Sequence, residues 1–240
     1  MALKRESLRA IIFDYGSTLI QFNAPQIDAC DRALSATLKR FFGEVDYDAL
    51  KRVRDEDRRR PYVNGFRENR MPGMCANMVR QLYGRDPRQE ELDELLKVRH
   101  ASFVNAVRAP SYLNRLLGEL GRRYRLALLS NYPDAPALRE SLDRIGLTER
   151  FRAVVVSADV GRVKPHEAPF KKVLATLGVS PAQALCVGDN WLGDIQGAKR
   201  LGMAAVWTLQ FDSPEKFDRK PDDLEPDLII HHLTELREHL

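Results

Sequence analysis

Six short apolar runs, often β-branched, constrain the fold of this chain more than anything else in it: Ala10–Phe13, Leu126–Leu129, Ala153–Val156, Leu185–Val187, Ala204–Thr208 and Leu228–Ile230. They lack the polar–apolar alternation of a half-exposed strand. Near-continuous apolar character suits strands of a parallel sheet covered on both faces. Helical patterns separate the later runs. Apolar residues at helical spacing extend over Pro133–Ile145, Pro165–Leu177 and Ile195–Leu201, and each pattern stops before a glycine: Gly146, Gly178 and Gly202. Proline at the first two starts and glycine just past each end are ordinary helix punctuation. Strand and helix therefore alternate from about residue 110 onward, which predicts an α/β fold with a doubly wound parallel sheet.

The stretch between the first run and the rest is different. From about Gln21 to Arg108 no clear strand pattern occurs, whereas Ile27–Phe42, Tyr47–Arg59, Met71–Tyr83 and Glu90–Val107 read as amphipathic helices. Pro61, Gly65, Pro72-Gly73 and Gly84 separate them. The expected organisation is an α/β core of residues 1–20 and 109–240, with an all-helical cap of residues 21–108 inserted after the first strand. A chain of 240 residues is long enough for both parts. An insertion leaving the carboxyl end of the first strand lies over the sheet edge where open α/β folds bind ligands.

Composition narrows the class. The net charge of +4 is a mild bias spread along the chain. Its densest cluster, Arg58-Arg59-Arg60, follows Asp55-Glu56-Asp57 and reads as a solvated helix end. No nucleic-acid motif accompanies it, so no nucleic-acid partner is expected; a mild attraction for anionic substrates is. No apolar stretch approaches the roughly 18 residues of a membrane span. Met1–Glu6 carries charge, and Asp14 interrupts the apolar run that a signal peptide would need. The three cysteines, Cys30, Cys75 and Cys186, are widely spaced and form no metal or redox motif. Cys186, inside an apolar run, reads as a buried inert thiol, and a cytoplasmic location is expected.

The strand ends carry the chemistry. Asp14 closes the first run and opens Asp14-Tyr15-Gly16-Ser17-Thr18-Leu19. The second run leads into Ser130-Asn131, the third into a loop ending Lys164-Pro165, and the fourth into Gly188-Asp189-Asn190, with Asp194 five residues beyond Asp189. Parallel strands bring all these ends to one edge, which then holds three carboxylates, a hydroxyl and a lysine. Carboxylates in close company raise one another's pKa unless a cation is present. Lys164 offsets one charge. A hard divalent ion such as Mg²⁺ would offset the rest, since it takes carboxylates, water and phosphate oxygens. Ser130 and the amides near it, at the helix start by Pro133, suit a phosphate. The other candidates have plainer readings. His231-His232 suits a surface connection, His166 a helix start, Trp191 and Trp207 packing, and Arg58, Arg67 and Arg70 a solvated surface.

In this order and spacing, the motifs resemble the haloacid dehalogenase superfamily of hydrolases, in its helical-cap branch. The resemblance spans essentially the whole chain. It implies that Asp14 is a nucleophile forming an aspartyl-phosphate. It implies that Ser130 and Asn131 bind the phosphoryl group and that Lys164 neutralises nucleophile and phosphate together. Mg²⁺ would bind Asp14, the backbone carbonyl of Gly16 and Asp189, with Asp194 supporting it directly or through another ligand. The implied substrate is a small phosphorylated metabolite.

One position departs from the pattern. Phosphatases of this family usually carry Asp two residues after the nucleophile, where it protonates the leaving oxygen and then activates water. Gly16 can do neither. General acid–base help is worth about 10²–10⁴-fold, so its loss slows turnover without abolishing metal and phosphate binding. Tyr15 is no substitute, because neighbouring side chains of an extended segment point to opposite sides. Three readings stay open. The first, expected here, is a Mg²⁺-dependent phosphatase with weakened or rerouted proton transfer. The second is a 2-haloacid dehalogenase, which needs neither the second Asp nor Mg²⁺. Dehalogenases of the family typically show Tyr two residues after the nucleophile and lose the metal-binding Asp, whereas here Tyr15 is one residue after and Asp189 is present. The third is a non-catalytic phosphate- or partner-binding protein on the same fold.

Overall fold

All six apolar runs are strands of one sheet: β1 (Ala10–Phe13), β2 (Arg125–Ser130), β3 (Ala153–Val156), β4 (Ala184–Gly188), β5 (Ala204–Thr208) and β6 (Leu228–Ile230). The structure is a computed structural model that describes residues 5–216 and 218–240. The reading of Met1–Glu6 falls in part on residues 1–4, outside the described residues, and the polar stretch Asp212–Pro226 includes Phe217, which also lies outside them. Every strand pairing is parallel, in the order β3-β2-β1-β4-β5-β6. The chain winds outward one way through β2 and β3, and the other way from β4 through β6. The reversal lies between β1 and β4, the kind of switch point at which open α/β sheets bind ligands.

The lack of alternation has a simple cause. Successive strand residues face opposite sides, and both sides are covered. Ile11 and Phe13 join Leu126, Leu128, Leu185 and Val187 in one core, while Ala10 and Ile12 join Ala127, Leu129, Ala184 and Cys186 in the other. On the first side pack α5 (Leu113–Leu120) and α6 (Ala135–Arg144); on the second packs α8 (Glu167–Leu177), which follows the short α7 (Ser157–Val160). Burial raises the Cys186 thiol pKa well above its usual range, which suits an inert core residue.

Between β1 and β2 lie α1 (Ala24–Phe42), α2 (Tyr47–Val63), α3 (Met71–Tyr83) and α4 (Gln89–Ala106). They share a smaller core that includes Leu34, Leu38, Leu50, Val53, Met78 and Leu95. The ends of this segment meet the sheet, because Phe22, Phe103 and Val104 belong to the core on the α5–α6 side. No helix of the described residues is long and apolar enough to cross a membrane.

Four local differences from the sequence reading have identifiable causes. α2 runs through Pro61 to Val63 rather than stopping near Arg59. A proline inside a helix leaves the carbonyl four residues earlier without its donor. That carbonyl, on Asp57, accepts a bond from Asn69 Nδ2 at 2.6 Å instead. α6 starts at Ala135, because Asp134 rather than Pro133 caps it by accepting from the Ala137 amide at 3.0 Å. α8 starts after His166, whose Nδ1 accepts from the Ala168 amide at 3.1 Å. Finally, a π-helical turn over Trp191–Gln196 precedes α9 (Gly197–Arg200).

Candidate active site

The Asp14 amide donates to the Val187 carbonyl at 2.9 Å, so the β1–β4 ladder extends to Asp14 and sets its carboxylate at the sheet edge. The chain then turns sharply. The Tyr15 carbonyl accepts from the amides of Leu19 (2.9 Å) and Ile20 (3.1 Å), and Ser17 adopts a left-handed φ of 58°. Tyr15 itself points away into the core, with its hydroxyl 2.9 Å from Ser141 Oγ. Burial pushes its pKa up to about 12. The alternating geometry of extended chain thus takes this phenol out of the site.

Lys164 is at the centre of the charge arrangement. It is 2% exposed, and its ammonium donates to Asp14 Oδ1 (2.6 Å), Asp194 Oδ1 (2.5 Å) and the Leu129 carbonyl (2.7 Å). An ammonium has three protons, and all are used. Burial alone lowers a lysine pKa, but the Asp14 and Asp194 charges outweigh it and the net shift is upward. Asn131 clamps the Lys164 backbone: its Oδ1 accepts from the Lys164 amide at 2.7 Å, and its Nδ2 donates to the Lys164 carbonyl at 3.0 Å.

Two further carboxylates follow β4. Asp194 is fully buried and its Oδ2 accepts from the Asn190 amide at 3.0 Å. Burial raises its pKa to about 6, with Lys164 opposing the shift. Its approach to the strand depends on Gly188, where a Cβ would lie 2.3 Å from Asp194 Cγ. Asp189 accepts from Thr18 Oγ1 at 3.0 Å. Burial first, and then the charges of Asp14 and Asp194, push its pKa well up. Carboxylate oxygens of Asp14, Asp189 and Asp194 lie within 4.8 Å of one another. Three carboxylates against one ammonium leave surplus negative charge among hard oxygen donors, and such a donor set suits a hard divalent cation.

Ser130 ends β2 on the same edge and is 5% exposed. Gly16 has room to spare: a Cβ there would meet only Phe22 Cβ, at an ordinary 3.6 Å, and its φ is not left-handed. Neither space nor backbone demands glycine at this position. Trp191 and Trp207 are both buried and pack edge-to-face with centroids 4.9 Å apart. Trp207 Nε1 donates to the Asp189 carbonyl at 2.7 Å and so steadies the loop. His232 caps the turn after β6, accepting from the Thr234 amide, and Arg58, Arg67 and Arg70 are exposed.

The structure also brings in residues without a sequence signature. Thr18 supports Asp189. From the helical segment, residues 65–68 lie along residues 161–163. The Val163 amide donates to the Phe66 carbonyl (2.9 Å), the Glu68 amide to the Gly161 carbonyl (3.1 Å) and Arg162 NH1 to the Gly65 carbonyl (2.6 Å). The Glu68 carboxylate accepts from Ser157 Oγ, and burial raises its pKa. Tyr62, near the end of α2, has its pKa raised by burial, with the charges of Lys164 and Asp194 acting on it in opposite directions. A cleft of about 660 Å³ opens beside this strap, lined by Asn69, Arg70, Lys97, His100 and Asp134 among others; Asp14, Ser130, Lys164 and Asp189 do not line it.

Residues 11–208 match the family model described as haloacid dehalogenase-like hydrolase. A phosphoserine phosphatase from Thermus thermophilus is 39% identical over 126 residues, covering 51% of this chain and 50% of that relative. The chain thus spans about half the length of that relative, and 28% to 41% of several others. Among solved structures, a 2-haloacid dehalogenase from Pseudomonas syringae pv. Tomato superposes with a TM-score of 0.74 at 24% identity, covering 96% of this chain and 97% of that one. A haloacid dehalogenase-type phosphatase from Thermococcus onnurineus superposes with a TM-score of 0.67 at 26% identity and the same coverage.

Proposed function

The chain belongs to the haloacid dehalogenase-like hydrolases, and from that premise we propose that it hydrolyses small phosphate esters through a phosphoryl group carried on Asp14. The observation that carries this reading is Lys164, shared by Asp14 and Asp194 beside the third carboxylate of Asp189. The Thermus and Thermococcus proteins, both named as phosphatases, agree with it.

Asp14 attacks phosphorus with the oxygen that Lys164 leaves free. Lys164 pairs with the nucleophile and lends positive charge to the incoming phosphoryl oxygens, and charge neutralisation with positioning is most of what phosphoryl transfer requires. Ser130 donates its hydroxyl to a phosphoryl oxygen, and Asn131 holds the Lys164 backbone in register. Asp194 anchors Lys164 from behind. Mg²⁺ would be held by Asp14, the Gly16 carbonyl and Asp189, with Asp194 supporting it, and would supply the positive charge that Lys164 alone does not. The helical segment 21–108 acts as a cap over core residues 1–20 and 109–240, excluding bulk water when closed. The substrate is a small phosphorylated metabolite, met in the cytoplasm.

Phosphate release from a panel of small phosphate esters, with and without Mg²⁺, tests this on wild type and Asp14→Asn. Mg²⁺-dependent release that disappears in Asp14→Asn is the expected result. Halide release from 2-chloropropionate without phosphate release would replace this reading by the dehalogenase one. Phosphate binding with neither release would favour a non-catalytic member of the family.

A further inference from the structure

We propose that a cleft at the edge of the sheet opposite Asp14 binds a small phosphate dianion, held by Arg115, Arg122 and Arg150. The cleft measures about 500 Å³ and is lined by Asn114, Arg115, Gly118, Glu119, Arg122 and Arg150. Its volume falls within the range of small-molecule pockets, about 300–1,000 Å³. Its place follows from the topology. Arg122 stands just before β2, which begins at Arg125, and Arg150 stands just before β3, which begins at Ala153. The strands are all parallel, so these two residues lie where strands start, whereas Asp14, Ser130 and Asp189 lie where they end. The six residues of β2 span roughly 20 Å between the two edges. The cleft is therefore separate from the catalytic edge, and the proposal does not depend on the phosphatase reading.

The charge of the lining is unbalanced. Glu119 is its one acid, and two guanidiniums already hold it: Arg115 Nε donates to Oε1 at 2.8 Å, and Arg237 Nε donates to Oε2 at 2.7 Å. The Arg115 bond first, and then the Arg237 bond, keep this carboxyl below its usual pKa, so it is ionised. Three lining guanidiniums against one carboxylate leave a surplus of two positive charges. Arg150 Nε donates to Asn114 Oδ1 at 2.6 Å, which fixes the side chain. Its two terminal nitrogens, and the whole Arg122 guanidinium, make no hydrogen bond or ion pair among the described residues. Gly118 is a second, independent sign of a built site. It lies inside α5 without a left-handed φ, where glycine is a poorer helix former than alanine. A Cβ there would lie 3.3 Å from Arg150 NH1 and 3.6 Å from its Cζ. The missing side chain lets the Arg150 guanidinium rest against the helix and keeps the floor of the cleft open. Phosphate matches these features. At neutral pH it carries a charge of about −1.5 to −2, close to the surplus, and the guanidinium fork pairs with two of its oxygens at once.

The test is calorimetric titration of the full chain with inorganic phosphate and, separately, with glycerol 3-phosphate, in EDTA at constant ionic strength and about pH 7.5, where phosphate is a dianion. Without a divalent ion the catalytic edge keeps three carboxylates against Lys164 and disfavours a dianion, so the titration reads the remote cleft. Wild type and Ser130→Ala should bind alike. The double variant Arg122→Gln, Arg150→Gln should bind about 10-fold more weakly or worse, since each guanidinium contributes charged hydrogen bonds. Gly118→Leu keeps every charge but fills the floor of the cleft, and it too should lose binding. A thermal melt shows that each variant is folded. The tighter of the two probes identifies free or esterified phosphate as the occupant, and either supports the proposal. Loss of binding in Ser130→Ala places the anion at the catalytic edge and overturns it. So does binding that survives the double variant, or binding that falls with the arginines yet survives Gly118→Leu, which marks attraction to surface charge alone. Wild type that binds neither probe overturns it as well.

Discussion

Replacing Gly16 with Asp should raise phosphatase activity, and the structure sets both the cost and the gain. The added Cβ would sit at an ordinary 3.6 Å from Phe22 Cβ, and the backbone at 16 is not left-handed, so no steric strain opposes the change. The carboxylate joins an edge that already holds Asp14, Asp189 and Asp194 against Lys164. Repulsion from these groups raises its pKa, which suits a residue that must donate a proton. General acid–base help spans about 10²–10⁴-fold, or roughly 3–5 kcal/mol of barrier at about 1.4 kcal/mol per decade. The gain should be at least about 10²-fold in kcat/KM on alkyl phosphates. The fourth carboxylate should also make Mg²⁺ raise the melting temperature more in the variant than in wild type, because metal binding to the folded state stabilises it by mass action. Steady-state phosphate release, with a thermal melt at fixed Mg²⁺, measures both. A folded Gly16→Asp protein that binds Mg²⁺ yet gains nothing would refute the argument that a missing proton donor limits turnover.

Other perturbations test separate parts of the structure. Lys164→Met removes the ammonium between buried Asp14 and Asp194 and should cost about 3–5 kcal/mol in urea unfolding, the usual penalty for orphaning buried charges; Mg²⁺ should recover part of it. Asn69→Ala withdraws the donor that serves the Asp57 carbonyl opposite Pro61 and should destabilise by about 1–3 kcal/mol in the same assay. Gly188→Ala drives a Cβ into Asp194 and should reduce both melting temperature and Mg²⁺ affinity, which calorimetry would report. Glu68 has a raised pKa in the folded protein, so its contribution to stability is full below its unfolded value near about 4.3 and is lost as pH rises through the folded value. Glu68→Gln should therefore gain stability relative to wild type on going from about pH 4 to about pH 7; an unchanged difference would refute the burial argument.

Much of this architecture was legible before any coordinates, and particular residues show why. The six apolar runs could be read as strands because burial on both faces leaves no polar positions in them. Asp14, Ser130, Lys164, Asp189 and Asp194 could be assigned to one edge because parallel strands all end on the same side. The exclusion of Tyr15 followed from the two-residue alternation of an extended chain, and its hydroxyl indeed faces Ser141. Other features had no local signal. α5 went unrecognised although Leu113, Leu116, Leu117 and Leu120 have helical spacing, because a helix of eight residues containing Gly118 is short and weakly marked. Pro61 reads as a break until Asn69, eight residues on, is seen to take the orphaned carbonyl.

The sequence by itself determined periodicity, and with it which residues are strand, which face each one takes and which side chains stand at strand ends. These depend on local conformation and on burial, and both leave a repeating trace along the chain. The tertiary structure alone decided the strand order that sets Asp14 beside Asp189, the sharing of Lys164 by two carboxylates, and the strap that brings Glu68 to Ser157. Those pairings join residues from about 30 to more than 150 positions apart. Contact at such separation depends on how whole layers pack against one another, and no periodic pattern in the sequence encodes it.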